Sequence, residues 1–328
     1  MPPGPWSDAP MTELPRGWSL RRPTLDDVPA ILELVHASDI AALGYPDFSA
    51  EEVRESLTEP NTDMARDVWL ALDDQHKVVG WAFPVNASAT DRDFVEVYVW
   101  PERGLPAMEP LLDIILARAA ERGAEFGHSP YEVRAGAVPT EKPYIQALLD
   151  RGFTFLKQHA RMQMSLDGVP HTAPAPPEGV TVRLVRPDDD ADMRAFHGVI
   201  QQAFLDSDHR TADYDAWRKL LDEEPVHVYD EWFVAEIDGR VVGALESSAD
   251  SGDANDEGWV KRLGVLSSYR KRGVGETLLR HAFAVYASKG RAKAGLGVDM
   301  ANPTQAARLY LAVGMKPLYE ANVYQKVI

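Results

Sequence analysis

The hexapeptide Arg270-Lys271-Arg272-Gly273-Val274-Gly275 places three cations and two glycines where a helix is expected to begin. Glycine lets the backbone approach a ligand closely, and the first N–H groups of a helix have no internal partner. The helix dipole also favours an anion at that end. Together these features point to the holding of a phosphate. Three further residues could move protons: the carboxylates Glu246 and Glu257 upstream, and the phenol Tyr310 downstream. The chain has no cysteine, so it has no thiolate nucleophile, no disulfide framework and no Cys-based zinc site. Its nine histidines show no HExxH or similar ligand spacing, so no metal is expected.

The elements that must position these groups can be read from the same region. Trp259 to Val265 is rich enough in Val, Leu and Trp to predict a buried strand, and from Gly273 the apolar positions change to helical spacing. A P-loop would end in Gly-Lys-Ser/Thr and a dinucleotide fingerprint needs G-x-G-x-x-G; neither is present. Downstream, Leu296 to Met300 predicts a short strand. Asn302 then suits an N-cap, Pro303 the first helical position, Gln305 a capping box and Gly314 the helix end. Bland readings stand beside these. The hexapeptide also fits a basic loop capping an ordinary helix, Asn302 is explained by capping alone, and Tyr310 fits as a core aromatic with Ala306 and Ala307.

Strand, basic Arg270-x-x-Gly273-x-Gly275 turn, helix, strand, Asn-capped helix and tyrosine, in that order, resemble the GNAT family of N-acetyltransferases. The resemblance implies an α/β (α+β) fold, a mixed, mostly antiparallel sheet flanked by helices. It also implies transfer of an acetyl group from acetyl-CoA (coenzyme A) to the primary amine of a small molecule. On that reading backbone N–H groups from Arg272 through Gly273, Val274 and Gly275 to Glu276 hold the pyrophosphate, and Arg270 and Lys271 add long-range attraction. Leu263, Gly264 and Val265 line the thioester, and the Val265 N–H is an oxyanion donor. Asn302 lies on the cofactor side, and Tyr310 is the acid for the departing thiolate. The base is Glu246, Glu257 or a water chain. Two other functions stay open: an acyl-CoA-binding protein without turnover, and a protein or peptide N-acetyltransferase.

At 328 residues the chain is comfortable for two domains. Gly17 matches Gly179, Val78-Val79-Gly80 matches Val241-Val242-Gly243, and Leu149-Asp150-Arg151-Gly152 matches Leu311-Ala312-Val313-Gly314. One nearly constant offset indicates an internal duplication, so the resemblance extends to a tandem-GNAT chain. The expected division is a flexible lead over 1–16, a first domain over 17–165, a Pro-rich linker over 166–178 and a second domain over 179–328. In the first copy Pro106 removes an N–H, and Glu102 and Glu109 add negative charge, where an anion would sit. Its phosphate turn is therefore read as degraded.

A net charge of −17 argues against general nucleic-acid binding, which depends on Lys and Arg neutralising phosphates. No run approaches 18 apolar residues and the N-terminal stretch lacks the regions of a signal peptide, so a cytoplasmic protein with no membrane partner is expected. Both a monomer and a homodimer are compatible with the sequence. The segment Phe204 to Asp230 mixes Asp206, Asp208, Asp213, Asp215, Asp222, Glu223 and Glu224 with Tyr214, Trp217 and Tyr229. That composition suits an ammonium-bearing acceptor, and equally suits helices with polar outer faces.

Overall fold

The computed structural model describes residues 13–205, 213–223, 227–248, 256–300 and 306–328. In chain order the elements begin with β1 (Ser19–Arg21), α1 (Val28–Leu43), α2 (Ala50–Thr58), α3 (Met64–Asp67), β2 (Trp69–Leu72), β3 (Val78–Val85) and β4 (Arg92–Val99). Next come α4 (Leu105–Glu125), β5 (Glu132–Ala137), α5 (Lys142–Asp150), β6 (Thr154–Ser165), β7 (Thr181–Leu184), α6 (Asp190–Ala203) and α7 (Tyr214–Glu223). The chain closes with β8 (Phe233–Ile237), β9 (Arg240–Ser248), β10 (Glu257–Val265), α8 (Val274–Ser288), β11 (Lys293–Asp299), α9 (Ala306–Ala312) and β12 (Lys316–Val327). Among the described residues no helix is long and apolar enough to cross a membrane.

Two compact units result. The first combines the chain up to Gln158 with Glu320–Ile328, and the second is His159–Tyr319. The sequence predicts a boundary at 166–178, so the structure differs in two places: residues 159–165 sit in the second unit and residues 320–328 in the first. Side-chain burial gives the reason. Ala160 and Met162 of β6 lie in the core that holds Phe196 and Leu278, and Tyr324 of β12 lies in the core that holds Leu111 and Leu148. The predicted linker also belongs to the second unit: Leu166 is buried and its N–H donates to the Ala292 carbonyl at 2.7 Å.

In the first unit the strand order is β1-β2-β3-β4-β5-β12, antiparallel except for β4 beside β5. That parallel pairing runs only from Arg92↔Glu132 to Phe94↔Arg134, although both strands continue. β4 and β5 therefore part beyond Phe94. The i, i+4 series Ala107, Leu111, Ile115 seats α4 on the sheet and continues into the buried Arg118 and Arg122. Arg122 holds Asp67 and Asp93, each at 2.9 Å, and Arg118 holds Asp67 at 2.7 Å, so these buried charges are compensated.

Not every carboxyl of this unit has such a partner. Glu96, half-buried on β4, has no hydrogen bond or ion pair among the described residues, and burial, with Glu141 adding to it, pushes its pKa up to about 8. The unfolded carboxyl titrates near 4.5. Between these values the native state binds the extra proton, so Glu96 makes stability fall as pH rises from about 4.5 towards 8. Asp39, raised to about 6, and Glu141, also raised, act in the same direction. Urea unfolding between pH 5 and pH 8 should therefore give a shallower decline in Glu96→Gln than in the parent chain; parallel curves would contradict this assignment.

In the second unit the order is β7-β8-β9-β10-β11, followed by residues 159–165 of β6. β10 and β11 are parallel and the other pairings are antiparallel. The parallel pairing runs from Glu257↔Lys293 to Val260↔Leu296 and goes no further, although β10 reaches Val265 and β11 reaches Asp299. The register between β10 and β9 shifts between Val260 and Arg262, a bulge that bends β10 where it leaves β11. Helix α8 packs on one face, since a Cβ on Gly243 would stand 2.7 Å from the Val274 side chain. Helix α6 packs on the other, since a Cβ on Gly264 would stand 2.9 Å from that of Ala203.

Candidate active site

The turn before α8 takes its form from two left-handed residues, Lys271 at φ 60° and Gly273 at φ 79°. Glycine adopts this region freely, whereas lysine is strained there by roughly 1–2 kcal/mol, so the surrounding turn imposes the conformation. The Gly273 carbonyl accepts from both the N–H and the hydroxyl of Thr277, each at 2.9 Å, which closes the first turn of α8. None of the N–H groups of residues 271–276 donates to a backbone carbonyl among the described residues. Those of Val274, Gly275 and Glu276 lack helical partners by geometry. Lys271 and Arg272 are exposed beside them. This open set of donors with two exposed cations, the Arg272 guanidinium lying over the Tyr269 ring at 5.6 Å, fits a pyrophosphate.

Arg270 has a different position from the one expected. Its guanidinium donates to the carbonyls of Val265, at 3.1 Å, and Ala203, at 3.2 Å, and so ties the turn to the end of β10 and to α6. It braces the turn, and Lys271 and Arg272 are left to face solvent. The predicted linker also reaches this place: a Cβ on Gly273 would lie 3.0 Å from the Pro177 ring.

The Leu266 N–H donates to the Val242 carbonyl on β9 at 2.9 Å. Successive N–H groups of extended backbone point to opposite sides, so that of Val265 points away from β9, towards the gap that opens where β11 departs. Leu263 and Val265 pack against the core on the α8 side, and Gly264 turns to α6. The opening is therefore bordered by a backbone donor and by the turn before α8. A Cβ on Gly275 would approach Leu309 of α9 to 3.0 Å and Val265 to 3.6 Å, which shows how closely strand, turn and α9 converge.

Tyr310, beside Leu309 on α9, is 8% exposed and lies in the same core cluster. Burial pushes its phenol up to about 12, so it keeps its proton at neutral pH. Its hydroxyl makes no hydrogen bond among the described residues. Asn302, with Pro303 and Gln305, lies outside the described residues.

Both candidate bases are occupied. Glu246 is 1% exposed and pairs with Arg262 at 3.0 Å and Lys261 at 3.4 Å. Glu257, 2% exposed, accepts from Arg161 at 2.6 Å and from Gln163 at 3.0 Å. Arg161 also stacks over Trp259, its Cζ 4.7 Å from the ring centroid. Arg161 and Gln163 come from β6, a strand the sequence reading placed in the first domain. Their only sequence signal is the alternation of His159, Arg161 and Gln163 with buried Ala160 and Met162. Of the aromatic residues expected to meet an acceptor, Trp217 is 8% exposed and stacks on Phe196, while the Tyr214 hydroxyl donates to Asp190 at 2.7 Å. Trp217 is thus core, whereas Asp213, Asp215 and Asp222 stay exposed; Asp206, Asp208 and Glu224 lie outside the described residues.

In the first unit the equivalent turn is closed upon itself. The Gly104 N–H donates to the Trp100 carbonyl at 2.7 Å, and a Cβ on Gly104 would stand 2.3 Å from the Val79 carbonyl. Its φ of −85° gives none of the left-handed opening seen at Gly273.

Residues 192–315 match the sequence model of the acetyltransferase (GNAT) family. No curated protein sequence matches the chain. The chain is similar in structure to a GCN5-related N-acetyltransferase from Sphaerobacter thermophilus, with 26% identity, a TM-score of 0.81 and coverage of 96% of this chain and 97% of that one. It shares its fold with a tandem GNAT protein of the clavulanic acid biosynthesis pathway (15% identity, TM-score 0.64, coverage 94% and 98%). The same holds for the N-myristoyltransferase of Saccharomyces cerevisiae, solved with bound myristoyl-CoA (10% identity, TM-score 0.59, coverage 97% and 80%).

Proposed function

We propose that this chain, whose residues 192–315 form a GNAT acetyltransferase domain, moves an acetyl group from acetyl-CoA to the primary amine of a small molecule, with the chemistry in the unit His159–Tyr319. The observation that carries the reading is the set of open N–H groups over 271–276, placed at the foot of a strand that parts from its neighbour. Acetyl-CoA supplies the activated thioester. The turn holds the pyrophosphate, Lys271 and Arg272 draw it in, and the Val265 N–H meets the oxygen that gains charge as the amine attacks. Tyr310, kept protonated by burial, donates to the departing sulfur. The exposed carboxylates Asp213, Asp215 and Asp222 attract an acceptor that carries an ammonium group.

The proton lost by the amine leaves through water, because the oxygens of Glu246 are engaged by Lys261 and Arg262 and those of Glu257 by Arg161 and Gln163. That same engagement favours a second reading, acyl-CoA binding without turnover. Release of free thiol from acetyl-CoA across a panel of small amines and a lysine-bearing peptide separates the readings. Amine-dependent release with small amines is the expected result. Release with the peptide alone would make the acceptor a protein, and tight acetyl-CoA binding with no release in any case would favour the binding protein.

A further inference from the structure

Beyond Leu296 the strand β11 no longer has β10 beside it, and its face turned away from the core borders the gap. Ala294, Leu296 and Val298 of β11, with Ala160 and Met162 of β6, fill the core that holds Leu278 of α8. The alternate residues therefore share the opposite face. Along β11 these are Gly295, Gly297 and Asp299, and the register sets them directly against Gln163, Arg161 and His159 of β6. At Gly295 this face is filled, since a Cβ there would meet the Glu257 carboxylate and stand 2.9 Å from the Trp259 ring. At Gly297, one residue past the last β10 pairing, a Cβ would meet nothing within 4 Å among the described residues. An open floor begins where β10 leaves, and the pair His159 and Asp299 stands at its outer end.

The acids that flank this floor on β9 and β10 are engaged, Glu246 by Lys261 and Arg262, and Glu257 by Arg161 and Gln163. His159 and Asp299 are half-buried and directly opposite one another. Opposed residues of an antiparallel pair have Cβ atoms about 4.5–5.5 Å apart, close enough for a carboxylate to meet an imidazole. A carboxylate so placed fixes the ring tautomer and stabilises its charged form. Imidazole is also the side chain whose ordinary titration lies nearest neutral pH, where a base works best. One strand spacing, about 5 Å, separates β6 from β11, so a single water bridges from the ring to a nitrogen placed over Gly297.

We infer that His159, oriented by Asp299, is the proton acceptor for the attacking amine, reached through one water; this rests on the reading of His159–Tyr319 as the acetyl-transfer unit. An ammonium acceptor loses two protons overall. The first, taken before attack, frees the nitrogen lone pair; it moves through water to His159 and from there to bulk solvent. The C–N bond then forms and the C–S bond breaks, the electron pair leaves on sulfur, and sulfur takes the Tyr310 proton. The second proton lost by nitrogen restores Tyr310 through water. Only the neutral ring accepts, so kcat/KM rises with pH as His159 loses its own proton. The other charged groups on this face are Arg161 of β6 and Lys293 of β11. Glu257 stands on β10, and Glu246, Lys261 and Arg262 lie across the floor.

The test is thiol release from acetyl-CoA by the full chain, with the amine of the panel that the parent turns over fastest, between about pH 5.5 and 9. His159→Gln should lower kcat by about 10²-fold and remove the ascending limb set by the imidazole, with the acetyl-CoA dissociation constant unchanged by calorimetry. Asp299→Asn withdraws the charge that favours the imidazolium, so its ascending limb should move about one pH unit lower. A residue that only supports the strand would leave the limb where it is in the parent. Should His159→Gln fail to fold by circular dichroism, the shift in Asp299→Asn decides. A parent that turns over while folded His159→Gln keeps its kcat, or while Asp299→Asn keeps the parent's limb, would overturn the inference alone. A parent that binds acetyl-CoA and releases no thiol with any amine would overturn the acetyl-transfer reading and the inference with it.

Discussion

Gly273→Glu is expected to remove acetyl-CoA binding while leaving the fold intact. Three costs fall on one position. The φ of 79° is open to glycine, and another residue there is strained by roughly 1–2 kcal/mol. The new Cβ would stand 3.0 Å from the Pro177 ring, so the segment preceding β7 must shift. A carboxylate would also enter the fan of N–H groups proposed to hold the pyrophosphate, where a like charge about 4 Å away costs roughly 1–4 kcal/mol. Together these predict a loss of at least about 100-fold in affinity, or about 2.7 kcal/mol. Gly273→Ala keeps the strain and lacks the charge, and should lose about tenfold. Calorimetry with acetyl-CoA reads both, and an unchanged dissociation constant in Gly273→Glu would show that the turn does not hold the pyrophosphate.

The second large effect belongs to Tyr310→Phe. The substitution keeps the ring in its buried place and removes only the donor. General acid catalysis is typically worth about 10²- to 10⁴-fold, so kcat should fall by that range. An interaction made only in the transition state lowers kcat and kcat/KM alike, so acetyl-CoA affinity should change little. Because burial holds the phenol near 12, its deprotonation should not limit the parent enzyme below about pH 10. Turnover in Tyr310→Phe equal to that of the parent, measured where chemistry limits the rate, would assign the tyrosine to the core and the proton to water.

The sequence carried the turn best, because its signals are local. Two glycines, adjacent cations and the change from strand to helical spacing all lie within a few residues of one another, and the observed Gly273 cap and α8 follow from them. The opening of β10 from β11 is not local. It depends on where a parallel ladder stops, at Val260 and Leu296, and no residue at that point announces it. The ends of the two units were hidden for a similar reason. β6 and β12 are long strands with weak alternation, Phe155 and Val327 on them being exposed, and their place is decided by which core buries Met162 and which buries Tyr324. Glu246 and Glu257 were legible as carboxylates but not as ion pairs, because Arg161 reaches Glu257 from a distant stretch of chain. Glu96 escaped attention altogether: a single glutamate on an alternating strand reads as solvated, and only the aromatic face around it shows otherwise.

The central claim is that one turn, residues 271–276, holds acetyl-CoA, and the stoichiometry of binding tests it most directly. Titration calorimetry of the full chain with acetyl-CoA should give one site per chain, and that site should vanish in Gly273→Glu. Two equivalent sites, or one site that survives the substitution, would contradict the account.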